Sequence, residues 1–253
     1  MRVLLAIAIV CIFVSPVSAL DWQVAEIGGA DSEQGPYQGG TVEFLGDDGF
    51  IITGTGGDIW SNKLGCTLAY VEGVAGDFTI QYTIEEHTTD PATTWSKCGV
   101  MIAQDVDPET PYVFLQSTCS NDPVALSDKG SKIITRAERA GGAGPGSNGF
   151  APLQWPVTYQ MVREGDLFTA SVSFDGGATW MSVANPAEGK EDTTTVAFTD
   201  PVIVGIAING HNGGQTTGTA RVTNIQITGG GLPTAVEPAG KLAATWGSLK
   251  SAR

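Results

Sequence analysis

The chain has 253 residues, with 27 Asp and Glu against 13 Lys and Arg and a formal charge of -14. That acidity excludes nucleic acid as a partner, and a 42% hydrophobic content excludes a disordered acidic chain. Its 34 glycines, about twice the usual ~7%, and many threonines between apolar residues argue against a mainly helical fold.

Residues 1–19 read as a signal peptide. Arg2 is the charged start, Val3 to Val14 is apolar, and Val17-Ser18-Ala19 is a small-residue cleavage site. The apolar stretch is too short to span a ~30 Å hydrocarbon core. The mature chain is therefore expected to be secreted or extracytoplasmic, with no membrane insertion after signal removal.

Residues 20–228 read as one domain of short strands separated by turns. Strands are expected over 40–45, 49–54, 64–72, 77–85, 97–104, 111–118, 131–138, 156–163, 166–174, 178–183, 202–208 and 217–228. In the 77–85 segment Phe78, Ile80, Tyr82 and Ile84 alternate with Thr79, Gln81 and Thr83. In 166–174, Phe168, Ala170, Val172 and Phe174 alternate with Thr169, Ser171 and Ser173. Both describe half-buried antiparallel strands. Val202 to Ile208 is continuously apolar, as in a strand covered on both faces. About a dozen strands without helical intervals predict an all-β, two-layer antiparallel sandwich. Gly229-Gly230-Gly231 is expected to end the last strand. Residues 229–253 then form a Gly/Pro linker and tail, in which Leu242, Thr245, Trp246 and Leu249 have helical spacing.

The local signatures of zinc proteases, serine hydrolases and phosphate-binding loops are missing from the sequence. Adjacent Glu85 and Glu86 point to opposite faces of a strand and cannot flank one glycosidic bond. Asp105, Asp107 and Glu109 alternate in a Pro-containing turn, where their oxygens form a candidate Ca²⁺ site as an alternative to a plain acidic turn. Trp60, Trp95, Tyr112 and Trp155 lie at strand edges or beside loops. Each indole or phenol face suits the apolar side of a sugar ring, and Asn209, His211 and Asn212 at a sheet end supply hydrogen-bonding groups. The competing reading of each tryptophan is a seal on the sandwich rim.

After signal removal three cysteines remain, Cys66, Cys98 and Cys119. A hairpin turn centred near residue 108 or 109 places Ile102 opposite Leu115, Val100 opposite Ser117 and Cys98 opposite Cys119. An oxidising compartment then favours a Cys98–Cys119 disulfide, with Cys66 left as a small buried residue.

Three stretches resemble the concanavalin A-like, LamG-like jelly-roll domains of secreted bacterial proteins. They are Gly57-Asp58-Ile59-Trp60 with Gly76-Asp77-Phe78-Thr79-Ile80, then Trp95-Ser96-Lys97-Cys98-Gly99-Val100-Met101-Ile102, then Arg163 to Thr169 leading to Ser173-Phe174-Asp175-Gly176-Gly177. The resemblance covers 40–228 and implies a bacterial, extracytoplasmic jelly roll, often with a glycan-binding or adhesive role and often with calcium. Ser173 to Trp180 also matches the Asp-box pattern of sialidases. One copy reads as a structural hairpin, because propeller sialidases carry several. The expected function is a carbohydrate-binding module with an extracellular polysaccharide or glycan as partner. A structural or adhesive surface protein and a glycan-active hydrolase are the alternatives.

Overall fold

The computed structural model describes residues 20–28, 39–46, 49–91, 95–118, 130–145, 155–184, 191–211 and 215–232. In chain order the strands are β1 (Gln23–Ile27), β2 (Gly40–Phe44), β3 (Gly49–Gly54), β4 (Ile59–Trp60), β5 (Lys63–Leu64) and β6 (Cys66–Asp90). They continue as β7 (Lys97–Ala103), β8 (Tyr112–Thr118), β9 (Lys132–Arg136), β10 (Gly144–Pro145) and β11 (Val157–Glu164). The last are β12 (Leu167–Ser173), β13 (Met181–Ser182), β14 (Thr193–Thr195), β15 (Val202–Asn209) and β16 (Thr217–Gly231). No α-helix occurs among the described residues. The signal segment and the tail beyond Leu232 lie outside them.

Two antiparallel sheets form the jelly-roll sandwich. The first runs β1-β6-β15-β7-β8-β9-β10. The second runs β2-β3-β16-β6-β11-β12, with β13 and β14 both paired to the far side of β12. Strand β6 belongs to both sheets. Its first part pairs with β1 and β15, and the part from Phe78 onward pairs with β11 and β16. The expected strands 64–72 and 77–85 are therefore one 25-residue strand. Gly73 and Gly76, at φ 76° and 72°, lie between its two parts. Only glycine adopts that backbone readily, so the chain changes sheets there without ending the strand.

The interior between the sheets follows the expected alternation. Ile80, Tyr82 and Ile84 are fully buried, as are Phe168, Ala170 and Val172. Phe174 falls outside β12 and is half-buried. Tyr82 stacks on Tyr159 at 5.3 Å. The Tyr82 hydroxyl crosses to the first sheet, donating to Leu115 O and accepting from Val100 N, both at 3.1 Å. The buried phenol thus bonds the backbone of β7 and β8, which offsets its own desolvation.

Three expectations change. β1 was not anticipated, and β16 continues past 228 to Gly231, because Gly229 and Gly230 adopt positive φ and the strand passes through irregular pairing instead of stopping. The β7–β8 hairpin pairs Cys98 with Ser117 and Val100 with Leu115, two residues from the expected register. Gln104 N donates to Pro111 O and Thr110 N to Asp107 O, so residues 104–111 form the whole connection and its centre moves. A shift of two keeps every side chain on its face but changes its partner. Cys98 is a buried free thiol in the interior, and Cys119 lies outside the described residues. Cys66, also free, is on the outer side of the same sheet, where burial pushes its thiol up to about 12. The bridge expected at Cys98 is not formed.

The Ser173–Trp180 turn does close on itself. Asp175 accepts from Thr179 N and Thr179 Oγ1 at 2.8 and 2.6 Å, and from Ser173 Oγ at 2.7 Å. These bonds hold its carboxyl down to about 2 and leave it as turn structure.

Candidate functional site

The outer faces of the two sheets differ. On the first sheet Cys66, Leu68, Tyr70, Met101, Tyr112 and Phe114 form a second apolar cluster, covered by Ile59 and Leu64 of the β4–β5 hairpin. Ser61 and Ala143 bond each other's backbone across this cover. Polar side chains are set into the same face by strand alternation, because Lys97 shares a side of β7 with Met101 and Gln116 shares a side of β8 with Phe114. In register, Gly99, Gln116 and Lys132 make one row and Tyr112 and Arg136 another. At Gly99 an added Cβ would lie 1.9 Å from Leu115 O, so no larger residue fits that position.

Lys132 and two tryptophans stand together on this face. The Lys132 ammonium lies 5.6 Å from the Trp60 ring centre and 5.5 Å from that of Trp95. The Trp95 residue is 39% exposed, Lys132 9%, and Gln116 is fully buried beside it. Trp60 is half-buried. The structure therefore brings two expected aromatic residues, 35 positions apart in sequence, within 5.6 Å of a cation that sequence reasoning did not select.

A buried ion pair adjoins them. Lys97 Nζ donates to Asp58 Oδ1 at 2.5 Å and to Trp95 O at 3.2 Å. Burial lowers the lysine pKa and Asp58 raises it, the first effect being larger. Asp58 Oδ1 also accepts from Ile59 N at 2.8 Å. His211 Nε2 is 3.7 Å from Asp58 Oδ2, and His211 N donates to Gly56 O at 3.0 Å. The histidine backbone sits at φ 62°, a left-handed conformation that holds its ring near the pair. Burial of this kind makes the Lys97–Asp58 unit a scaffold for the Trp95 backbone.

The other expected site residues have different places. Tyr112 is fully buried under the Arg136 guanidinium at 5.1 Å, so its ring offers no face to a ligand, and burial raises its phenol. Asn209 is also buried. Its Oδ1 accepts from Lys97 N at 2.8 Å and its carbonyl accepts from Ser96 Oγ at 2.6 Å, so it braces the strand end. Trp155 is half-buried, edge-on to His87 at 6.4 Å, and not part of the Trp60–Trp95 arrangement. Asn212 lies outside the described residues. Asp105, Asp107 and Glu109 do form a turn. Asp105 Oδ1 accepts from Asp107 N, and Asp107 Oδ1 accepts from Glu109 N. Arg139 pairs with both aspartates. A guanidinium thus lies against the carboxylates of the candidate Ca²⁺ turn, and among the described residues no group of three side chains is arranged to hold a metal ion.

Lys97, Lys132, Gln116 and Arg136 were missed. Their signal was a polar residue at the edge of, or inside, an apolar run, as in KCGVMIA and YVFLQST. Such residues read as strand boundaries until the cover over the sheet is known.

No protein-family model and no curated protein matches this chain. Solved structures do. A functionally unknown protein from Saccharomyces cerevisiae is similar with a TM-score of 0.52 and 14% identity, over 77% of this chain and 96% of that one. A xylan β-1,4-xylosidase from Bacillus halodurans C-125 has a TM-score of 0.49 and 15% identity, over 71% of this chain and 33% of its own. Lectin I from Ulex europaeus has a TM-score of 0.44 and 15% identity, over 82% and 98%. The first of these similarities supports the shared sandwich fold and carries no activity with it.

Proposed function

We propose that the chain is an extracytoplasmic bacterial binding module that takes a carbohydrate against the outer face of its first sheet. The observation that carries this reading is the pair Trp60 and Trp95 beside Lys132, with Trp95 open to solvent at 39%. An indole presents a broad apolar surface to the C–H side of a sugar ring, while neighbouring polar groups meet its hydroxyls. Export through residues 1–19 belongs to the same proposal.

Binding is favoured over hydrolysis by the carboxylates. Asp58 is committed to Lys97 and to Ile59 N, and Glu85 Oε1 accepts from Thr223 Oγ1 at 2.6 Å on the second sheet. Titration with a panel of polysaccharides should quench tryptophan fluorescence, and Trp95→Ala should weaken binding by ~2 kcal/mol, the scale of losing an aromatic anchor. Equal affinity in the variant and the parent would overturn this placement.

A further inference from the structure

We infer that Lys97 and Asp58 condense into an intramolecular isopeptide bond, a covalent link between the start of β7 and the segment leading into β4. The inference concerns the chain itself and stands apart from the glycan-binding reading. Its first support is proximity. Lys97 Nζ is 2.5 Å from Asp58 Oδ1, so with a carboxyl C–O bond of ~1.23 Å the nitrogen is at most ~3.7 Å from Cγ. Groups held about 3–3.5 Å apart and aligned react far faster than the same groups free in solution. The two side chains are 3% and 11% exposed, so little water competes for either. Burial also sets the direction of the reaction. Two charges held out of water are costly, and a hydrogen-bonded neutral amide is much less so. The nucleophile is the neutral amine, a form that burial of Lys97 favours by lowering its pKa.

The second support is that the partners of the product are already in place. A buried amide needs an acceptor for its N–H and a donor for its carbonyl. Lys97 Nζ donates to Trp95 O at 3.2 Å, and Asp58 Oδ1 accepts from Ile59 N at 2.8 Å. The amide N–H keeps the first of these bonds and the amide oxygen keeps the second. Asp58 Oδ2 is the oxygen left over, and His211 Nε2 lies 3.7 Å from it.

The step balances without an oxidant, a reductant or a co-reactant. One ammonium proton passes to the carboxylate, giving a neutral amine and a carboxylic acid. Nζ then attacks Cγ and the C–N bond forms. A second proton leaves the nitrogen, both transferred protons end on Oδ2, and the Cγ–Oδ2 bond breaks to release one water. The third proton stays on the amide nitrogen. His211, whose side chain is 23% exposed, is the titratable group beside Oδ2 that relays protons to it.

The test uses the full mature protein, denatured and weighed by mass spectrometry, then digested with trypsin and mapped. The parent is expected to be lighter than its sequence by one water and to yield a branched peptide joining Lys97 to Asp58. Lys97→Arg and Asp58→Ala should each have the full sequence mass and no branched peptide. Dehydration at an Asp-Gly pair such as Asp175-Gly176 removes the same mass, so the branched peptide is decisive. The parent map decides alone where a variant does not fold. Residues 58 and 97 in separate, unmodified peptides of the parent overturn the inference, as does a branch that joins other residues. In samples drawn during cell-free synthesis, His211→Ala is expected to form the bond ~10²-fold more slowly, the scale of losing a general acid–base group. An equal rate in that variant overturns the part assigned to the histidine and leaves the bond standing.

Discussion

Strand β12 of the second sheet alternates buried and partly exposed residues, whereas β7, β8 and β15 of the first are buried at every position. The outer side of the second sheet carries threonine, serine and glutamine, with Thr79, Gln81, Gln160, Thr169 and Ser171 each half-buried. The outer side of the first lies under a hairpin, yet it holds Lys97, Lys132, Gln116 and Arg136. A polar residue on the wet sheet costs little. Each one under the cover carries a desolvation cost and must be bonded or functional. The same alternation of side chains thus yields a solvated surface on one sheet and a buried polar strip on the other.

Truncation of aromatic residues on the two sheets breaks or sharpens that contrast most strongly. Phe114→Ala on the outer face of the first sheet is expected to cost ~3–5 kcal/mol, as much as Phe168→Ala in the interior. Urea denaturation midpoints measure both. A loss below ~1 kcal/mol for Phe114→Ala would mean that the hairpin does not seal this face.

Lys97→Met should also destabilise by ~3–5 kcal/mol, because it leaves the Asp58 carboxylate buried without its partner. Asp58→Asn in the Lys97→Met background should recover part of the loss. An undiminished loss in the double variant would show that the ion pair is not the cause.

A smaller effect should come from acid. Burial pushes the His87 imidazole down to about 3, while an unfolded histidine titrates near ~6.5. As pH falls the unfolded chain takes up this proton before the folded one does. The contribution of neutral His87 is therefore complete above pH ~6.5 and is lost progressively toward the folded value of about 3. Urea midpoints against pH should fall across this window, and His87→Gln should flatten the fall. Equal slopes in the two proteins would assign the acid sensitivity to carboxylates instead.

The smallest change is expected on the wet face. Thr169→Val, half-buried on the outer side of β12, should alter stability by no more than ~0.5 kcal/mol in either direction.

Legibility in the sequence follows the same division. Alternation over Phe78–Ile84 and Phe168–Val172 announced the second sheet and its inner face, because one side of each strand meets water and the pattern must show it. The unbroken run Val202–Ile208 announced a strand covered on both sides, but not what covers it. Trp60 and Trp95 were readable as aromatic candidates. Their meeting around Lys132 was not, because β4 and β9 lie far apart in the chain and come together only when the hairpin folds over the sheet. Tyr112 failed as a site residue for a related reason: the outer side of β8 is buried, which local pattern cannot reveal. The β7–β8 register moved by two because an eight-residue connection is held by Gln104, Thr110 and Pro111, and such contacts lie outside any alternation rule.

The amino-acid order by itself determined the all-β class, the antiparallel sandwich and the inward side of its alternating strands, since these follow from a two-residue period and from dense turn residues. Tertiary structure alone decided that β6 serves both sheets, that Cys98 stands opposite Ser117, and that Lys97, Gln116, Lys132 and Arg136 are buried on the outer side of the first sheet. Period fixes which way a side chain points relative to its neighbours in the strand. What it points at depends on segments distant in the chain, and so does whether a lysine or glutamine meets water, a partner or a ligand.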